Sequence, residues 1–189
     1  MGHTSLCKAL CAGIAILLAP AAQAQTAVSD PSYLQLVDRL DRPQDGYCLD
    51  VVGSGGRYAF DRPLVVHNCK PGQAADEIVT HMSDGSIRFP AFDLCLTAMG
   101  GGRTVLPGIS LALRDCGENT GISLLEVQQQ FQFQADGKLN LKGSDLCLVV
   151  GPRSAETASS AHRWRPIYMD VCDTAPTDRA TWALIPPMT

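Results

Sequence analysis

Short runs in which apolar and polar residues alternate recur along the whole chain. Leu34-Gln35-Leu36-Val37, Leu64 to Cys69, Leu111 to Cys116 and Ile167 to Cys172 all read this way. A two-residue period marks a β-strand with one buried face, because successive side chains point to opposite sides of the sheet. Asp84-Gly85 lies between Ile78-Val79 and Ser86-Ile87-Arg88-Phe89, and Asp136-Gly137 precedes Lys138-Leu139-Asn140-Leu141. Asp-Gly between two such runs signals a hairpin. Helical patterns are scarce. Ser123 to Gln132 fits a helical period, but its register to Asp136-Gly137 argues for strand. The pattern therefore predicts an all-β fold.

The runs are organised as a repeat, the first regularity to look for in a sequence. Cys48-Leu49-Asp50, Cys95-Leu96-Thr97 and Cys147-Leu148-Val149 each open a unit. A second cysteine follows after 21, 21 and 25 residues, at Cys69, Cys116 and Cys172. Val79 and Trp182 both lie ten residues beyond their second cysteine. In the middle unit an insertion, Glu118 to Leu125, delays the matching strand to Phe131. Val79 and Phe131 each stand six residues before the glycine of their Asp-Gly turn, so Val79, Phe131 and Trp182 are predicted to be equivalent core positions. The last unit lacks a strand after Trp182, and Leu34 to Val37 is placed to supply it. Three copies of four strands, closed by the two chain ends, leave no free sheet edge.

The N-terminus adds a compartment. Lys8, the apolar run over residues 9–20 and Ala22-Gln23-Ala24 form a secretory signal peptide (residues 1–24, cut after Ala24). The run is too short to span a bilayer, and a lipid anchor at Cys11 would need the run before it. Residues 25–32 read as a flexible leader, and residues 33–186 as the single domain. The expected location is secreted or periplasmic. Cys7 and Cys11 leave with the signal, and six cysteines remain, an even number that reads as a disulfide framework in an exported chain. The simplest pairing keeps each bond inside its unit: Cys48–Cys69, Cys95–Cys116 and Cys147–Cys172. No two of them form a close knuckle, so no metal site is expected. Cleavage takes the net charge from −4 to −5 by removing Lys8, and no basic stripe suggests nucleic acid. No nucleophile elbow, zinc-protease motif or phosphate loop is present, so neither catalysis nor a cofactor is expected.

Over residues 33–186 these features resemble the ricin B-chain-like lectin family. The carrying residues are the Cys-Leu starts, the second cysteines and the positions of a Gln-x-Trp signature, written here as Glu77-Ile78-Val79, Gln129-Gln130-Phe131 and Ala180-Thr181-Trp182. The resemblance implies a β-trefoil of three four-stranded repeats, each with one disulfide, that binds a glycan or glycosylated surface. It also implies a sugar site built from an Asp after the first cysteine, an aromatic platform two residues before the second and an Asn seven residues after it. The first repeat fits best, with Asp50, His67, Asp76 and, beside it, Glu77. Imidazole is a smaller platform than Trp or Tyr, and an ionised Asp76 accepts hydrogen bonds where Asn also donates. Affinity is therefore expected to be weak and the preferred sugar to depart from galactose. Thr97 and Val149 replace the Asp elsewhere, and Arg114 and Asp170 replace the aromatic, which leaves one site. The alternative is a trefoil whose sugar sites have decayed and which acts on a partner protein, for instance as a toxin-delivery subunit. A protease inhibitor fits the cysteine pattern less well. The inserts Pro152 to Trp164 and Asp115 to Ser123 are candidate partner surfaces or tolerated loop length. The polar stretch Ser159 to Trp164, which contains His162, reads as surface loop.

Overall fold

A computed structural model describes residues 1–2, 28–101, 104–117 and 125–187, with the side chains of residues 125 and 126 left aside. The signal peptide expected at 1–24 lies outside them beyond its first two residues, as do residues 25–27 of the leader. Strand β1 (Ser32–Leu36) opens the fold. The first repeat follows with β2 (Tyr47–Asp50), a small outer hairpin β3 (Gly53–Ser54) and β4 (Arg57–Tyr58), then β5 (Val65–Asn68), β6 (Ile78–His81) and β7 (Ile87–Phe89). The second holds β8 (Leu94–Ala98), β9 (Leu111–Asp115), a helical turn α1 (Leu125–Gln129), β10 (Phe131–Phe133) and β11 (Leu139–Leu141). The third holds β12 (Leu146–Val150), β13 (Ala155–Glu156), β14 (Arg163–Val171), a helical turn α2 (Thr177–Ala180) and β15 (Trp182–Ile185).

Pairing is antiparallel, and its register repeats three times. Gln35 of β1 faces Cys48, Arg88 of β7 faces Cys95, and Asn140 of β11 faces Cys147. β1 completes the third repeat by pairing with β15, Leu36 opposite Trp182, so the chain ends close the barrel as expected. Hairpins β6–β7, β10–β11 and β15–β1 meet around the threefold axis through the contacts Ser86 with Gln130, Lys138 with Thr181, and Tyr33 with Ile78. Glycine is required at two of these meeting points. Gly85 and Gly137 have φ of +94° and +82°, and a Cβ there would lie 3.0 Å from the Phe131 carbonyl oxygen and 2.8 Å from Thr181 Cγ2. The two Asp-Gly signals thus shape the turns and also let neighbouring hairpins touch.

Val79, Phe131 and Trp182 are all buried in one core cluster with Leu36, Leu49, Leu96, Leu148 and Met169. The three disulfides form within their repeats, with Cα atoms 5.0, 5.1 and 4.9 Å apart. Each closes a loop worth about 3 kcal/mol in the chain-entropy account.

Two local expectations are corrected. The strand expected across Ser123 to Gln132 begins only at Phe131, after α1. A helical turn before this strand belongs to the repeat. The first copy has one closed by Ile78 N–H donating to the Ala74 carbonyl at 3.1 Å, and the third has α2. The tight turn brings the residue two before the core position, Glu77 or Gln129, back beneath its own repeat. The second correction is at Arg163 and Trp164, which are strand and not loop. β14 runs nine residues because its first half pairs with β5 and its second half with β12. Pro166 sits at the change of partner, where β5 ends and no ladder donor is needed.

Candidate functional site

Strands β2, β5 and β14 lie side by side at the junction of the first and third repeats. Cys48 faces His67, which faces Trp164, and Asp50 faces Val65, which faces Pro166. Residues directly opposite in a ladder share a face. Asp50, Val65, His67, Trp164 and Pro166 therefore look outward together, while Leu49 and Val66 enter the core. The Cys48–Cys69 disulfide holds the end of β5 against β2 and so places Lys70 next to Asp50.

Lys70 organises the acidic residues. Its Nζ donates to Asp50 Oδ2 at 2.5 Å and to Asp76 Oδ2 at 2.6 Å, and lies 3.8 Å from Glu77 Oε1. Asp50, Asp76 and Glu77 are 3%, 5% and 0% exposed, whereas the lysine side chain is 28% exposed and caps them. Burial acts to lower the ammonium pKa, but the Asp50 carboxylate and its neighbours outweigh it and raise the value.

Glu77 is explained by the threefold repeat. Its Oε2 accepts the Lys70 backbone N–H at 2.9 Å, just as Gln129 Oε1 accepts that of Gly117 at 2.9 Å. Gln129 Nε2 also donates to Thr97 Oγ1 at 3.0 Å, and Thr97 is the counterpart of Asp50. Glu77 Oε1, standing where Gln129 has its amide, is buried and meets no donor. An oxygen there matches Asp50 only if it carries a proton. Burial pushes Glu77 up to about 9, and the neighbouring Asp50 carboxylate acts in the same direction, so the neutral acid is the form favoured at pH 7. Asp50 is itself pushed up to about 6, by burial first and with Lys70 opposing. Burial also lowers His67, whose Nδ1 lies 3.0 Å from the Asn68 carbonyl oxygen. The neutral ring then donates from Nδ1 and leaves Nε2 as an acceptor.

Outside this cluster opens a cavity of about 980 Å³, lined by Asp50, His67 and Lys70 from the first repeat and by His162, Trp164 and Tyr168 from the third. The third-repeat insert forms the hairpin β13–β14, in which Ala155 pairs with Trp164, and its Thr157 and Ala158 also reach the cavity. His162 stacks on His67, ring centroids 5.7 Å apart. The hairpin is anchored. Asn68 Oδ1 accepts the Arg163 N–H at 3.0 Å, and Asp41 accepts from Arg165 at 2.7 Å, Ser154 at 2.6 Å and Tyr47 at 2.8 Å.

Of the four expected site residues, Asp50 and His67 line the cavity, and Asp76 and Glu77 lie behind Lys70 and support it. In the other repeats Thr97 and Val149 are buried, Thr97 beneath Gln129. Sequence reasoning missed Lys70, although a lysine next to a cysteine with acids six and seven residues later is a legible charge pattern. It also missed Trp164 and Tyr168, which reach the first repeat only by folding. Asp50, His67 and Glu77 each bring a ligand atom within 4.8 Å of the others, the elements of a cation site. The Lys70 ammonium already serves as the cation for these carboxylates.

The family model for the ricin-type β-trefoil lectin domain matches residues 37–158. No curated protein gives a match. Among solved structures, the mdaA-1 domain superposes with a TM-score of 0.58 at 14% identity, covering 89% of this chain and 99% of that one. The agglutinin from Abrus precatorius gives 0.55 at 21% identity over 88% of this chain; the match spans 51% of the agglutinin. The Vibrio vulnificus hemolysin/cytolysin β-trefoil lectin, solved with N-acetyl-D-lactosamine bound, gives 0.50 at 18% identity, covering 84% and 96%. At these identities the structural matches speak for the fold.

Proposed function

Because the chain belongs to the ricin-type β-trefoil lectin domain family, we propose that it is an exported carbohydrate-binding module with one sugar site, in the first repeat. The observation that carries this reading is the pairing of Asp50 and Lys70 at the cavity floor, 2.5 Å apart and beside His67. Two adjacent sugar hydroxyls need an acceptor for one and a donor for the other. Asp50 accepts, and Lys70 supplies the donor that Asp76 lacks. Asp76 and Glu77 hold this pair in place. The C–H face of the ring packs over Val65 and the edge of His67. The ion pair between buried Asp50 and half-buried Lys70 keeps both fixed before a ligand arrives, which lowers the ordering cost of binding.

The same geometry supports a binding role over glycosidase chemistry. Glycosidases need two carboxyl groups facing each other across the scissile bond, at least about 5 Å apart. Asp50 and Glu77 instead sit side by side beneath Lys70, with carboxylate oxygens within 4.8 Å of each other. Export is supported by the three disulfides. Among the described residues no helix is long and apolar enough to cross a membrane.

The test is a glycan array and calorimetry on the wild type, Asp50→Asn and His67→Ala, with cooperative unfolding checked for each. The wild type is expected to bind a restricted set of glycans, Asp50→Asn to lose at least tenfold in affinity and His67→Ala to lose less. A folded wild type that binds no glycan refutes the reading.

A further inference from the structure

We infer that the ligand of this cavity is a glycoside carrying a flat apolar aglycone, with the sugar over β2 and the aglycone over β14. The inference rests on the carbohydrate reading and deepens it. Its basis is the division of the cavity floor by strand. β2 contributes the charged pair partner Asp50, β5 contributes Val65 and His67, and β14 contributes Trp164 and Pro166 in the same rows. Neighbouring strands are about 4.8 Å apart, so the β14 strip begins roughly 10 Å from Asp50. A sugar ring held by Asp50 and Lys70 covers β2 and β5 and stops short of it.

The space beyond is half open and mostly apolar. Pro166, Ile167, Trp164 and Tyr168 line it, together with Ala158 that follows β13. Trp164 and Tyr168 are half-buried rings left open to the cavity. A volume of about 980 Å³ is at the upper end of cavities that enclose a drug-sized molecule. Rings and prolines are rigid surfaces that suit a planar group, whereas sugar hydroxyls placed there would exchange water for few partners. Trp164 is therefore a specificity residue for the aglycone, and Asp50 and Lys70 select the sugar.

The experiment uses methyl, octyl and phenyl β-glycosides of galactose, glucose and N-acetylglucosamine, with phenol alone, measured by calorimetry on the mature protein. For whichever sugar binds, the phenyl glycoside is expected to bind at least tenfold more tightly than the methyl glycoside. Trp164→Ala should remove that advantage and leave the methyl glycoside within about twofold. Equal affinity of methyl and phenyl glycosides overturns the inference and leaves the carbohydrate reading standing. An octyl glycoside as tight as the phenyl one also overturns it, since the strip would then be an unshaped apolar surface. Phenol binding as tightly as the phenyl glycosides, or no glycoside binding at all, defeats the carbohydrate reading itself.

Discussion

Replacing Glu77 with Gln should stabilise the protein, by an amount that grows with pH. In the native state Glu77 is pushed up to about 9, while an ordinary glutamate releases its proton near 4.5. At pH 7 the unfolded chain has released that proton and the folded chain has not. Holding it over 2.5 pH units (7 − 4.5) costs about 3 kcal/mol at 1.36 kcal/mol per unit. Gln makes the same bonds without a proton, as Gln129 does in the second repeat. The sign follows from the raised pKa: this group's contribution is fully favourable below about pH 4.5 and is lost as pH rises toward 9. Glu77→Gln should thus be about 3 kcal/mol more stable at pH 7, a rise of about 6–12 °C in Tm for a domain of this size. Near pH 5 it should differ little from wild type. Asp50, raised to about 6, adds a slope of the same sign below pH 6 in both proteins, so the comparison belongs between pH 6 and 9. Guanidinium unfolding followed by the fluorescence of Trp164 and Trp182 across that range measures the difference. A variant that is less stable than wild type at pH 7 and 8, or a difference that does not change with pH, would refute the protonated Glu77. A protonated-carboxyl stretch lost in the infrared spectrum of the variant would support it.

Three further outcomes are expected. Trp182→Ala should cost about 3–5 kcal/mol, measured by chemical denaturation, because the ring is buried and its Nε1 donates to the Leu148 carbonyl at 2.9 Å. Gly137→Ala should destabilise more than Gly143→Ala: both have positive φ, which costs a side chain about 1–2 kcal/mol, but only at Gly137 does a Cβ collide with Thr181, so equal Tm losses would count against the hairpin contact. Asp41→Asn should weaken the protein at neutral pH and reduce its sensitivity to acid. Burial opposes ionisation of Asp41, but Ser154, Arg165 and Tyr47 hold its pKa well below the ordinary carboxylate range. Its stabilisation is present above about pH 4 and lost on acidification, so variant and wild type should converge in Tm at low pH.

The fold was legible because each of its signals is local and occurs three times. A two-residue period, an Asp-Gly turn and a cysteine interval mean little once. Repeated in a common register they predict the strands, the core triplet of Val79, Phe131 and Trp182, and the pairing of the six cysteines from Cys48 to Cys172. The reading failed at Ser123 to Gln132 because one helical turn and a strand start share the apolar residues that a longer strand would use. It failed at Arg163 and Trp164 because a polar flank resembles a loop until a partner strand is present to satisfy its backbone.

By itself, the sequence determined the threefold strand plan, the disulfides and the candidacy of Asp50, His67, Asp76 and Glu77. What became of those four was decided by tertiary structure. Lys70 comes from just beyond the first repeat's second cysteine and draws three acids into one buried cluster. Trp164 and His162 come from the third repeat, nearly a hundred residues from His67, and reach it by strand pairing and ring stacking. The physical reason is the same in both cases. Protonation and cavity shape depend on burial and on neighbours distant in the chain, and no local pattern carries them.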